Sequence, residues 1–273
     1  ELRDLWPASI MAVGAMKKSL LIRMLEFIEL FLYRRAAAIV SVTFSFKDDL
    51  VARGIDPDKI HVVRNGVDLE RYQPQARDSQ LASAYDLENR FVVGYLGTHG
   101  MAHALEKVLE AAELLKSNQK IAFFFAGSGA QRACVEKIVK EKNLDNVRLI
   151  PRQPKEKMPA LWSLCDATIV PLRNNPVFST VIPSKIFEAM AMGVPILMSL
   201  PEGEATSIVQ EEKVGICVPP EHPLTMATAI VDLADSSMDT AKYRKNAIAT
   251  AAKFSRDSLA QKMLIVLLGA RNS

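Results

Sequence analysis

From Ala36 onward the chain alternates between short, mostly apolar runs rich in β-branched and aromatic residues and stretches that read as helices. The runs are "AAIVSVT", "KIHVVRNGVD", "RFVVGYLG", "IAFFFAG", "NVRLI", "DATIVPL" and "PILMSL". A strand that is apolar without alternation must be covered on both faces, and helices between such strands supply that cover. The pattern therefore predicts an α/β fold with a doubly wound parallel sheet. Its ligand site is expected where the carboxyl ends of the strands give way to loops. After Tyr72 a polar stretch, "QPQARDSQLASAYDLENR", interrupts the alternation and divides residues 1–72 from residues 73–273. A chain of 273 residues is long enough for two domains of ordinary size.

Composition excludes several classes. With 49% hydrophobic and 24% charged residues the chain reads as globular throughout. Its net charge of +3 is dispersed, so no nucleic-acid partner is expected. Cys134, Cys165 and Cys217 are odd in number and far apart, and are expected as buried, reduced thiols of a cytoplasmic protein. "LLIRMLEFIELFLYRR" (residues 20–35) is very apolar, but Arg23, Glu26 and Glu29 interrupt it well short of the roughly 20 apolar residues a bilayer span requires. No small-residue cleavage site follows it, as a signal peptide would need. Two readings stay open: a core helix, or a helix lying on an anionic membrane surface through Lys17, Lys18, Arg34 and Arg35.

The chemistry concentrates in "STVIPSKIFEAMAMGVPI", residues 179–196. If Ser184 caps a helix here, Ser184, Lys185 and Glu188 share its first turn. Unpaired amides, the positive end of the dipole and the Lys185 charge then favour an anion, and Glu188 would accept hydrogen bonds from vicinal hydroxyls attached to it. A phosphate joined to a ribose has that shape. A Ser cap with a Lys-Glu pair also occurs in plain solvated helices, but "FEAMAMGVPI" offers little solvated face. Gly193 and Pro195 end the helix. The loops "GTHGMAH" and "GSG" carry the glycines and small polar residues that backbone approaching a phosphate requires, although glycine at strand ends is also used for purely steric reasons. "DPD" (residues 56–58) is expected to be a turn rather than a metal site, and His61 and His222 have no evident partner.

"PSKIFEAMAMGVPIL", preceded by "LWSLCDATIVPL" and "FFFAGSG", resembles the carboxyl half of retaining glycosyltransferases of family four, which have the two-domain GT-B fold. "VVRNGVDLERYQP" resembles that family's interdomain linker, "KFSRDSLAQKMLIVL" its terminal helix, and "RDLWPASIMAVG" the last third of its amino-terminal domain. Within the family the match is nearest to bacterial enzymes of surface-polysaccharide assembly, including transferases of fucosamine-type sugars. The resemblance implies a donor site holding Gly97, Thr98, His99, Gly100, His103, Arg152, Thr180, Ser184, Lys185 and Glu188. Glu188 matches the glutamate that grips the donor ribose. Three positions depart from the pattern. The family's sugar-contacting glutamate falls on Thr180, its phosphate-binding Arg and Lys fall on Thr98 and Ala104, and its His-Asp strand end falls on Arg3 and Asp4. His99, His103 and Lys185 are then the groups near enough to replace the missing charge, and Asp4 is the one catalytic candidate.

The implied substrate is a nucleoside diphosphate sugar, UDP-linked, with neither metal nor other cofactor, because positive charge at the helix end stabilises the departing diphosphate. The implied acceptor is a polyprenyl-diphosphate-linked sugar at the inner face of the membrane. A further amino-terminal stretch of about a hundred residues or more is expected for transfer. Two alternatives remain: a non-catalytic nucleotide-sugar-binding module, and a sugar-nucleotide 2-epimerase.

Overall fold

The computed structural model describes residues 1–14, 16–17 and 19–271. Among the described residues eight strands form two parallel sheets. β1 (Ile39–Ser41) pairs with β2 (Ile60–Val62), and Leu2 extends that sheet by bridging to Ser41. The larger sheet holds β3 (Phe91–Leu96), β4 (Ile121–Ala126), β5 (Val147–Ile150), β6 (Ala167–Pro171), β7 (Ile196–Ser199) and β8 (Gly215–Val218). Its spatial order is β5-β4-β3-β6-β7-β8, so the winding reverses between β3 and β6, as in a doubly wound dinucleotide-binding sheet.

Alternate side chains of the sheet enter two cores. Val92, Phe124, Val170 and Met198 face one core with the helix Lys185–Ala191. Val93, Phe123, Ile169 and Leu197 face the other with the helices Leu105–Leu114 and Pro223–Asp235. Every residue of β4, β6 and β7 is buried, which explains why these strands read as unbroken apolar runs.

Several contacts join the two sheets. Arg64 Nη2 donates to Glu204 Oε1 at 2.6 Å, and the Phe44 amide donates to Glu204 Oε2 at 2.9 Å. The Val67 amide donates to the Phe254 carbonyl at 2.9 Å. The terminal helix Arg256–Arg271 returns to the first sheet, where Leu259 packs with Val40 and Val63.

Some local expectations are corrected. In "SFKDDLVARG" the sequence alone suggests Ser45 as the N-cap of a helix, but the helix spans Phe44–Ala52 and is capped by Thr43, whose hydroxyl accepts from the Phe46 amide at 3.1 Å. β8, which is only partly buried, carries too weak an apolar signal to have been anticipated. Of the three cysteines only Cys165 is buried, whereas Cys134 is exposed, because the helix Arg132–Glu141 turns that position to solvent. The Asp-Pro-Asp segment is, as expected, a turn, in which Asp56 Oδ1 accepts from the Asp58 amide at 3.0 Å. The helix Leu20–Arg35 is not a core helix: only Ile22 and Glu29 are buried. Among the described residues no helix is long and apolar enough to cross a membrane. Lys18 lies outside the described residues.

Candidate functional site

A cleft of about 1040 Å³ opens at the carboxyl ends of β3, β4, β5 and β6. Gly97 and Thr98 follow β3, Gly127 and Ser128 follow β4, Arg152 follows β5, and Leu172 follows β6. Arg3, Asp4, Ser9 and Asn65 also line it, so both parts of the chain build it. The position is the one chain reversal predicts: helices on either side of the β3–β6 junction diverge and leave a crevice.

Glu188 enters the cleft from the helix Lys185–Ala191. Its Oε2 accepts from the indole Nε1 of the fully buried Trp162 at 3.3 Å. Burial raises the carboxyl pKa, opposed by the Trp162 hydrogen bond and by Arg256, Tyr72 and Lys185. The Tyr72 phenol, which also lines the cleft, is pushed up to about 12 by its own burial and by the neighbouring Glu188 charge. Neither Trp162 nor Tyr72 was anticipated. Both are aromatics with a polar tip, which when buried seeks a partner, and that is the one sequence signal they carry.

Lys185 sits one turn before Glu188. Its stem is partly exposed, but Nζ is buried, has no hydrogen-bond acceptor, and lies 3.8 Å from the centre of the Tyr95 ring. A side chain on Gly97 would touch the same nitrogen at 3.4 Å. Burial pulls the Lys185 pKa down to about 7, and Glu188 acts against that shift. An ammonium held by an aromatic face and lacking an acceptor is a group prepared for an anion.

Ser184 stands at the amino end of the helix but makes no capping bond with its side chain, because its backbone is already helical (φ −59°, ψ −24°). Its exposed hydroxyl faces the cleft instead. Arg152 lines the cleft, as does Asp4, which is exposed. His103 lines it too, its Nδ1 lying 3.4 Å from the Gly100 carbonyl oxygen.

Three candidates are not brought to the cleft wall. His99 is fully buried: its amide donates to the Ser128 carbonyl and its carbonyl accepts from Gln131, both at 2.9 Å. With the backbone so pinned, the ring turns inward against Tyr95 and Phe125, and neither ring nitrogen has a partner. Gly100 lies beside His103 and outside the lining. Thr180 turns its hydroxyl back to the Val177 carbonyl at 2.7 Å, satisfying its own turn. The expected replacement of charge by histidines is also corrected. Burial and the Lys185 charge depress His103 to about 3, and burial with Arg132 depresses His99 to about 4, so both rings are neutral near pH 7. Of these three, Lys185 is left to carry charge.

The Gly-Ser-Gly loop has a steric duty. A Cβ on Gly127 would lie 1.8 Å from the Gly97 carbonyl oxygen, and one on Gly129 would lie 2.5 Å from that of His99. Glycine is what lets the loops after β3 and β4 touch. Among the described residues no group of three metal-binding side chains is close enough to hold an ion.

The model described as "Glycosyl transferases group 1" matches residues 80–254, and that described as "Glycosyltransferase Family 4" matches residues 12–71. The chain belongs to the group 1 glycosyl transferases. This group 1 glycosyl transferase chain is 26% identical over 240 residues to the probable glycosyltransferase WbjE of Pseudomonas aeruginosa, covering 87% of the chain and 60% of that protein. It is 26% identical over 158 residues to the putative colanic acid biosynthesis glycosyl transferase WcaI of Escherichia coli K12, covering 57% of the chain and 38% of that protein. The crystal structure of Anabaena HepE in complex with UDP-glucose superposes with a TM-score of 0.77 at 20% identity, over 89% of the chain and 66% of HepE. The fold is therefore GT-B. The chain spans about 60% of the length of WbjE, and less of WcaI.

Proposed function

We propose that the cleft binds the nucleoside diphosphate of a sugar donor, UDP-linked, and that the protein to which this chain belongs transfers the sugar with retention to a polyprenyl-linked or glycan acceptor in surface-polysaccharide assembly. The observation that carries the reading is the pair on one helical turn: the Glu188 carboxylate, steadied by Trp162, beside a buried Lys185 ammonium that has no acceptor. Glu188 accepts the ribose hydroxyls, Lys185 meets the diphosphate, and the Ser184 hydroxyl and Arg152 lie within the same cleft. HepE, the structural neighbour, is described with UDP-glucose, and WcaI is named for colanic acid biosynthesis. Both support the choice of donor class and pathway class. On this reading no metal or other cofactor takes part, and Asp4, which lines the same cleft, is the catalytic candidate.

One observation favours a second reading, a binding module without transfer. Thr180 stands where the family pattern has its sugar-contacting glutamate, and its hydroxyl is spent on its own turn. Calorimetric titration with UDP, GDP, ADP and NAD tests the first reading. UDP is expected to bind and the others to bind more weakly; no binding by any of them would refute the donor site. Where UDP binds, assay of UDP-sugar turnover with the full-length protein separates transfer from binding alone.

A further inference from the structure

Ala104, buried at the junction between the turn Met101–His103 and the helix Leu105–Leu114, lies in the left-handed region at φ 43°, ψ 42°. An alanine is disfavoured there and keeps that conformation only where its surroundings fix it. The fixing contacts come from another loop. Arg173 follows the cleft-lining Leu172 after β6, and its amide donates to the Ala102 carbonyl at 2.8 Å. Its Nε donates to the Met101 carbonyl at 2.7 Å, and its Nη2 pairs with Glu106 Oε1 at 2.8 Å. These contacts bracket Ala104 on both sides. Glu221, from the loop after β8, braces the arginine in turn: it accepts from Arg173 Nη1 at 3.5 Å and from the Asn174 amide at 2.7 Å.

The clamp bears on the part of the cleft that holds Lys185. The loop after β3 is pinned at its start, where the Gly97 amide donates to the Ala126 carbonyl and the His99 amide to the Ser128 carbonyl, both at 2.9 Å. Its far half carries Ala102 and His103, which line the cleft. The His103 ring stands edge-on to the Tyr95 ring, 5.9 Å between centres, and the same Tyr95 ring holds the Lys185 ammonium. Released, Ala104 would relax to an ordinary φ and swing Ala102 and His103 away from that ring. Arg173 itself does not line the cleft, so it acts through the loop. The geometry points to Arg173 as a positioning residue, resting on the donor-site reading above: by spanning residues 101–106 it holds the loop after β3 in the shape that receives the donor's diphosphate. A guanidinium suits the task, because its flat fork donates in several fixed directions at once, whereas a lysine ammonium is a single compact charge on a flexible stem.

The test is calorimetric titration with UDP and with uridine of the parent chain, Arg173→Gln, Arg173→Lys, and Arg173→Gln combined with Ala104→Gly. A left-handed alanine set free is disfavoured about tenfold, and apparent affinity falls with the fraction of protein in the binding shape. Arg173→Gln should therefore lose about tenfold in UDP affinity while uridine affinity stays within about twofold, and Arg173→Lys should lose nearly as much. Glycine adopts left-handed and right-handed backbones about equally, so adding Ala104→Gly to Arg173→Gln should bring UDP affinity back to within about threefold of the parent. An arginine that served stability alone would not be rescued in this way. Should Arg173→Gln fail to fold, as circular dichroism would show, Glu106→Gln with Glu221→Gln removes only the partners of the guanidinium and should cost UDP about threefold, again sparing uridine; an unchanged double variant would then overturn the inference. So would unchanged UDP affinity in a folded Arg173→Gln, equal losses for UDP and uridine, or no recovery on adding Ala104→Gly. Those results leave the donor site standing, since the parent still binds UDP. A parent that binds neither ligand refutes the donor site and this inference together.

Discussion

Lys185 gives the sharpest test, because its environment makes it costly to the free protein. The ordinary lysine pKa of 10.5 falls to about 7 when Nζ is buried over Tyr95 with no acceptor. The folded pKa lies below the unfolded one, so between about pH 7 and 10.5 the unfolded chain binds more protons and stability rises with pH. The penalty is full below pH 7 and vanishes as pH approaches 10.5. At about 1.4 kcal/mol per pH unit, the drop from 10.5 to about 7 makes that penalty about 4 kcal/mol at pH 7 and about 2 kcal/mol at pH 9. Lys185→Met keeps the stem and removes the ammonium. It should stabilise the ligand-free protein in urea unfolding by amounts of that order, with the gain shrinking toward alkaline pH. The same variant should lose more affinity for UDP than for uridine, since only the diphosphate supplies the missing counter-charge. A destabilised Lys185→Met, or a gain that is equal at pH 7 and pH 9.5, would refute the reasoning, and equal losses for UDP and uridine would show that Lys185 does not face the phosphates.

Three further outcomes follow from the same geometry. Glu188→Ala removes a charged acceptor from the ligand, a loss of roughly 1.5–3 kcal/mol, so calorimetry should show UDP affinity falling about tenfold or more with the fold intact; unchanged affinity would return Glu188 to a structural role. His99 and His103 have folded pKa values below the ordinary 6.5, so their neutral forms are required, and stability present above pH 6.5 is lost as pH falls. Each contributes about 2 kcal/mol of destabilisation by pH 5, and His103→Gln should halve that combined acid sensitivity in chemical denaturation. Gly127→Ala places a methyl group 1.8 Å from the Gly97 carbonyl oxygen, so the two loops must part; a loss of about 2–3 kcal/mol in stability is expected, with UDP binding lost as well, and a neutral Gly127→Ala would contradict the close approach.

Much of the architecture was legible because its signal is local. Apolar strands such as "IAFFFAG" announce burial on both faces, and β4 is buried at every position. Gly193, at φ +67°, ends its helix as the sequence implies. β8 and the cap on Thr43 were not legible. The first is only partly buried, and the second depends on which of two neighbouring hydroxyls reaches the Phe46 amide. Among the site residues, Ser184, Lys185 and Glu188 could be grouped because a single helical turn fixes their spacing. His99 could not be assigned: a histidine in a glycine-rich loop reads as a ligand or as a turn residue, and here the hydrogen bonds to Ser128 and Gln131 turn it inward.

The sequence by itself determined the strands β1 to β7, the parallel class of the sheet and the turn that holds Lys185 and Glu188 together, because each depends on side-chain periodicity over a few residues. Only the tertiary structure decided that Tyr72 and Trp162 surround the Glu188 carboxylate, that the Lys185 ammonium lies beside Gly97 on the Tyr95 ring, that Asp4 lines the same cleft, and that the Leu20–Arg35 helix leaves its apolar stripe exposed. Those pairings join residues tens to hundreds of positions apart. No local preference encodes them, and they are fixed only when packed sheets and helices bring distant backbones to one place.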